Sequence, residues 1–152
     1  MDMSRQIKNI IAITFFLICI GLINFAGQNI DIEIRGINAF TFILIVAVLL
    51  QIIFFIPSFL LKTEKYYDLV GSLTYVTTVS LAYFAVENKT MIDSIIYFYV
   101  MVWALRLGIY LFRRVRNDGK DVRFEKAKRH FFWFLQYWMG QALWVSLTAC
   151  AA

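Results

Sequence analysis

Apolar residues in this chain come in long blocks, not at the two-residue or 3.6-residue periods of half-buried strands and surface helices. Five blocks stand out, at about 7–26, 37–61, 69–86, 95–112 and 131–152. Each approaches or exceeds the ~18–20 apolar residues that a helix needs to cross the hydrocarbon of a bilayer. In lipid the backbone must satisfy its own hydrogen bonds, which leaves helices or a closed barrel. Barrel strands alternate in character over about ten residues. These blocks are about twice that length and apolar on every face. The pattern predicts an all-α fold: a polytopic membrane helix bundle of about five transmembrane helices, forming one membrane domain over residues 1–152.

Composition supports that reading. Hydrophobic residues make up 61% of the sequence and mean hydropathy is +0.70, above the roughly half-apolar composition of soluble domains. No separate soluble domain fits between the blocks. The only proline, Pro57, lies near the end of the second block, where a kink is expected. The connection 27–36 carries Asp31 and Glu33 and reads as a short solvated loop. The first block has the charged start of a signal peptide. Its flank, Asn24-Phe25-Ala26-Gly27, is a poor cleavage site, so a retained anchor is predicted. Cys19 and Cys150 both fall inside blocks, without metal-ligand spacing, and read as small buried hydrophobes.

The net charge of +5 takes its meaning from position. Arg5 and Lys8 precede the first block, Lys62 and Lys65 follow the second, and Arg113, Arg114, Arg116, Lys120, Arg123, Lys126, Lys128 and Arg129 follow the fourth. The other two connections hold only Arg35 and Lys89. An excess of lysine and arginine marks the cytoplasmic side. The N-terminus and the basic loop 113–130 are therefore expected in the cytoplasm. That loop suits anionic lipid headgroups or, through arginine forks, a phosphate; no nucleic-acid partner is expected. Asn117-Asp118-Gly119 predicts a turn within it.

The fourth block carries the most suggestive chemistry. Tyr99, Trp103, Arg106, Tyr110 and Arg113 recur at spacings of four and three and share one helix face. An intramembrane arginine usually faces protein or a wet cavity, so the stripe is a candidate anion or cofactor site turned toward the bundle near Asp68. The competing reading is interfacial: Arg106 lies about 9 Å along the helix from Phe112 and can snorkel. Asp68 reads as a helix cap, as the partner of an arginine of the fourth helix, or both. Gln141 is expected to hydrogen-bond across helices or to line a polar cavity. His130 stands alone, and no metal site is predicted.

These residues also carry a resemblance. The run from Lys62 to Tyr75 is similar to the opening of an early helix in the steroid 5-alpha-reductase-like membrane proteins, more closely their bacterial branch, domain of unknown function 1295. Trp103 to Leu111 followed by Arg113 or Arg114 resembles that branch's tryptophan–arginine–leucine–tyrosine–leucine–arginine helix. Gly119-Lys120-Asp121-Val122-Arg123-Phe124 resembles its glycine–acidic–aspartate–arginine–aromatic loop. Gln141 falls where the family has a glutamine. The set spans roughly Lys62 to Ala152.

The resemblance implies a multi-helix reductase of the bacterial inner membrane that passes hydride from NADPH to a conjugated carbon–carbon double bond, with a sterol or enoyl-lipid substrate and a role in lipid metabolism. It implies Arg106, Tyr110, Arg113, Asp121 and Arg123 as cofactor-binding residues, and Asp68 and Gln141 as polar core. Related methyltransferases share the fold and use S-adenosylmethionine. The family's later proline–asparagine–tyrosine motif has no counterpart, since Pro57 is the only proline. The expectation is therefore an N-terminal half, completed by a C-terminal half or another membrane subunit. The competing class is a small non-catalytic membrane protein or assembly partner.

Overall fold

The computed structural model describes residues 3–118 and 121–149. Among the described residues five α-helices form a single bundle: α1 (Met3–Ala26), α2 (Ala39–Leu60), α3 (Tyr67–Ala85), α4 (Met91–Asp118) and α5 (Phe131–Ala149). The protein is an all-α helical bundle. By length and composition α1, α2 and α4 suffice to cross a membrane. Helices α3 and α5 are 19 residues each and occupy the interior. Helix α3 packs on α2, α4 and α5, and α5 packs on α1, α2 and α3, which leaves α1 and α4 as opposite flanks.

Local chemistry explains where the helices stop. The α1–α2 connection contains a two-stranded hairpin, β1 (Glu33–Ile34) and β2 (Ile37–Asn38), where the sequence suggested only a loop. Its two turn residues, Arg35 and Gly36, both have positive φ (54° and 77°), the backbone that matches the right-handed twist of paired strands. Asn38 then caps α2 by accepting the Thr41 N–H at 3.2 Å. At the other end Lys62 takes a left-handed conformation, φ 51°. The Thr63 N–H bonds back to Ser58 O and the Lys62 N–H to Phe59 O, the paired bonds that close helix C-termini. Helix α2 runs through Pro57 to Leu60. Thr90 and Asp93 cap α4 reciprocally, Asp93 N–H to Thr90 Oγ1 at 3.2 Å and Thr90 N–H to Asp93 Oδ2 at 2.7 Å.

Helix α4 corrects one expectation. It continues six residues past Phe112, so Arg113, Arg114 and Arg116 are helical and Asn117 and Asp118 form its last residues; the turn expected at Asn117-Asp118-Gly119 would be completed outside the described residues. No glycine or proline lies between Phe112 and Gly119, and arginine is a good helix former. Gly119 and Lys120, with residues 150–152 including Cys150, lie outside the described residues. At 1.5 Å per residue the 28 residues of α4 extend about 42 Å, against roughly 30 Å of hydrocarbon. Helix α4 is therefore longer than a hydrocarbon crossing requires.

The largest core sits at this basic end. Phe55, Val70, Phe124, Ala127, Phe134, Trp138 and Met139 pack together from α2, α3, α5 and the segment before α5. Polar bonds stitch the interior where lipid offers no water: Gln51 Nε2 donates to Thr74 Oγ1 at 2.9 Å, Ser72 Oγ to Ala104 O at 2.6 Å, and the Tyr67 hydroxyl to Tyr137 O at 3.0 Å.

Candidate functional site

The orientation of α4 decides what its arginines can do. Ala104, Gly108 and Val115 are buried against the bundle. Close approach of α3 requires this: Ser72 bonds to Ala104 O, and a Cβ on Gly108 would collide with the Ser72 side chain. Residues two apart on a helix lie about 200° around its axis, so Arg106 is forced to the far side. Tyr99 and Tyr110 are 68% and 63% exposed, and Trp103, Arg106 and Arg113 are exposed with them. The expectation that this stripe faces the bundle with Arg106 beside Asp68 is thus corrected. Among the described residues Arg106 makes no hydrogen bond or ion pair.

Asp68 has other partners. It lies in the first turn of α3, one residue past the helix start. The N-cap is Tyr66, without a side-chain capping bond, so Asp68 complements the helix dipole without capping it. Its carboxylate stands 3.6 Å from Arg114 Nη2 and 3.7 Å from Arg123 Nη2. The expected pairing with an arginine of the fourth helix is made, by Arg114. Asp121 joins the same cluster. Arg123 Nε donates to both its oxygens at 3.0 Å, the Arg123 N–H donates at 3.0 Å, and Arg114 stands 3.9 Å away. Two carboxylates and two guanidinium groups form one charge-balanced cluster. The hydrogen bond from Arg123 holds the Asp121 carboxyl below the ordinary range, and the same bond raises Arg123.

A second tether lies behind the first. Glu64, 4% exposed, receives Lys128 Nζ at 2.7 Å on one oxygen and the Asp121 N–H at 3.2 Å on the other. Phe124, 1% exposed, fills the space between Tyr67, Phe134 and Tyr137. The segment from Asp121 to His130 is therefore folded back on the α2–α3 connection and does not trail from α4. Sequence reasoning missed Glu64, Lys128 and Phe124. Glu64 meets Asp121 and Lys128 57 and 64 residues away, and Phe124 meets Tyr67 57 residues away; no periodicity reports a contact at that separation.

The residues proposed from sequence fall into two adjoining groups. Arg106, Tyr110 and Arg113 line an open groove of about 640 Å³ on α4, with Ile109, Arg114 and Asn117. Asp121 and Arg123 belong to the ion cluster with Asp68. Arg114 is common to both. The arrangement offers arginine forks to an anion from one side, while the cluster fixes Arg114 from the other. Gln141 is elsewhere. It lies on α5 against Gly71, its amide oxygen enclosed without a partner. The expected bond across helices is made instead by Gln51.

A match to the family described as "Protein of unknown function (DUF1295)" extends over residues 54–152, roughly two thirds of the sequence. The chain belongs to this family. DUF1295 is the steroid 5-alpha-reductase-like family. The matched region starts near the end of α2 and takes in α3, α4 and α5, hence both the groove and the ion cluster; α1 and the hairpin precede it. No curated protein and no solved structure matches the chain.

Proposed function

We propose that this protein is a membrane reductase of the steroid 5-alpha-reductase-like type, of the bacterial branch of that family. On this reading the basic end of α4 receives the phosphates of NADPH. The observation that carries it is the convergence of Arg106, Arg113 and Arg114 on one groove. Arg106 and Arg113 have no carboxylate partner among the described residues. Planar guanidinium forks match phosphate oxygens, and Tyr110 adds a ring and a hydroxyl in the same groove. Asp121, Arg123 and Asp68 would hold Arg114 in place without touching the cofactor.

These residues fit the phosphate-bearing part of a dinucleotide. When bound, NADPH supplies the hydride for a carbon–carbon double bond conjugated with a carbonyl, in a sterol or enoyl lipid dissolved in the membrane. We place the basic end in the cytoplasm of a bacterial inner membrane, following the bias of lysine and arginine. We assign the bundle to the N-terminal half of the family pattern, because the proline–asparagine–tyrosine motif of the later half is not among these residues. Hydride transfer needs donor and acceptor held in reacting geometry, and a phosphate clamp does not supply that.

Nucleotide binding and turnover test the reading together. The purified chain in detergent is expected to bind NADPH weakly, with affinity falling as salt rises and falling further on Arg113→Ala or Arg106→Ala. Nicotinamide absorbance with a panel of enone steroids and enoyl lipids is expected to show little turnover by these 152 residues. NADPH binding that both substitutions leave unchanged would remove the groove from the proposal. Robust turnover abolished by Arg106→Ala would show that the chain contains the whole catalytic site.

A further inference from the structure

The end of the bundle away from the basic segment is built differently. A cavity of about 190 Å³ opens there between α2, α3, α4 and α5. Its walls are mainly aliphatic, including Leu44 and Ala47 of α2, Val79 and Ala82 of α3, and Val145 of α5.

The polar groups in the lining already have partners. Thr78 Oγ1 donates to Thr74 O at 2.8 Å and Ser146 Oγ to Ala142 O at 2.8 Å. The hydroxyls of Tyr83 and Tyr97 pair with Ser94 at 3.0 Å and Ser80 at 3.2 Å. The two tyrosine rings stack at 4.2 Å, 13° from parallel, and make a flat apolar wall. Among the described lining residues only Asp93, in the first turn of α4, is charged. Lys89 donates to Val86 O at 2.6 Å and sits over the Tyr83 ring.

Size and depth narrow the occupant. A dry cavity of about 150 Å³ takes a single benzene, whereas whole drug-sized ligands need about 300–1,000 Å³. This cavity therefore suits a segment of an apolar chain and not a complete amphiphile. Its lining begins at Phe40, the second residue of α2, and reaches Ala47, a depth of about 10 Å at 1.5 Å per residue. Acyl chains of one leaflet lie at that depth. The acid and the amine at the mouth complement a headgroup that carries both charges.

We propose that this cavity is a lipid-tail site, holding a segment of one acyl chain of a zwitterionic phospholipid from the leaflet away from the basic segment, with the headgroup between Lys89 and Asp93. The site stands apart from the proposed reductase chemistry. Tyr97 and Arg106 are nine residues apart on α4, about 13 Å along its axis.

Photolabelling tests it. The full chain is placed in nanodiscs of phosphatidylethanolamine containing a trace of the same lipid with a diazirine part-way down one acyl chain, illuminated, and the adducts are mapped by peptide. Adducts are expected to concentrate several-fold on Ala47, Ala82 and Val145 over Phe15 and Leu22, which α1 exposes to lipid. Filling the cavity with Ala82→Phe or Ala47→Phe is expected to remove most of that excess, while Leu22→Phe leaves it. Labelling spread evenly over the exposed helix surfaces would overturn the proposal, and this holds even if neither filled variant folds. Undiminished labelling in a folded Ala82→Phe protein would overturn it too. Unlabelled phosphatidylethanolamine is expected to compete better than phosphatidylglycerol, and equal competition would refute the headgroup assignment. An enoyl lipid that outcompetes its saturated counterpart would overturn the structural-lipid reading and give the cavity to a substrate.

Discussion

Along its inward face α4 carries Ala104, Gly108 and Val115, all buried; half a turn away it carries Tyr99, Trp103, Arg106 and Tyr110, all exposed. The inward face holds the smaller residues, and α3 comes close enough for the Ser72 hydroxyl to reach a backbone carbonyl. Without a hydrophobic force between helices in lipid, such close packing is what joins them. The outward face carries the chemistry; of these four side chains Trp103 alone, among the described residues, meets another helix, edge-on to Tyr75 of α3 at 5.1 Å. Bulk and charge thus report what a membrane helix offers outside itself, while alanine and glycine four apart report what it holds.

The sharpest way to break the contrast is at the tether just beyond α4. Glu64→Ala leaves the Lys128 ammonium and the Asp121 N–H without their acceptor, which costs about 1–3 kcal/mol for donors left unsatisfied at a covered site. A lowered midpoint in a denaturing-detergent titration, with new proteolytic cleavage between Asp121 and His130, is the expected result. An unchanged midpoint would mean that the segment contributes nothing to the bundle.

Gly108→Leu attacks the inward face itself. The added side chain meets Ser72 at once, and overpacking of this kind costs about 1–3 kcal/mol. The same titration measures it. Ile109→Leu, one residue along on the exposed side, is the control and is expected to move the midpoint within about 0.5 kcal/mol.

Acid should loosen the cluster that fixes the end of α4. Arg123 holds the Asp121 carboxyl below the ordinary range, so its folded value lies under the unfolded one, near 3.9. The stability it contributes is complete above about pH 4–5 and is lost as pH falls through the depressed value. Thermal denaturation from neutral pH downward is expected to show this loss in the native chain and not in Asp121→Asn. A loss that begins near neutral pH in both would assign the effect to other groups.

The smallest effect on stability is expected at Arg106. Arg106→Ala should shift the unfolding midpoint by no more than about 0.5 kcal/mol, because the side chain is exposed and without a polar partner. The same variant should weaken binding of anionic nucleotides. A large stability loss would place Arg106 in a contact within the bundle and collapse the distinction between the two faces.

The sequence by itself determined the class of fold and the approximate helix ranges. Block length and uniform apolarity are local properties that hydrocarbon thickness converts directly into helices. It also marked Arg106, Tyr110 and Arg113 as one stripe, because the helical repeat is local too. Which way that stripe points was not legible: the same spacing describes a face turned in or out, and only the approach of Ser72 to Ala104 and Gly108 selects one. Asp68 showed the limit from the other side. Its pairing with the fourth helix could be expected, yet the choice of Arg114 over Arg106 followed from α4 continuing past Phe112 as helix. Glu64, Lys128 and Phe124 needed the tertiary structure altogether, since a tether across more than fifty residues leaves no periodic trace in the chain that makes it.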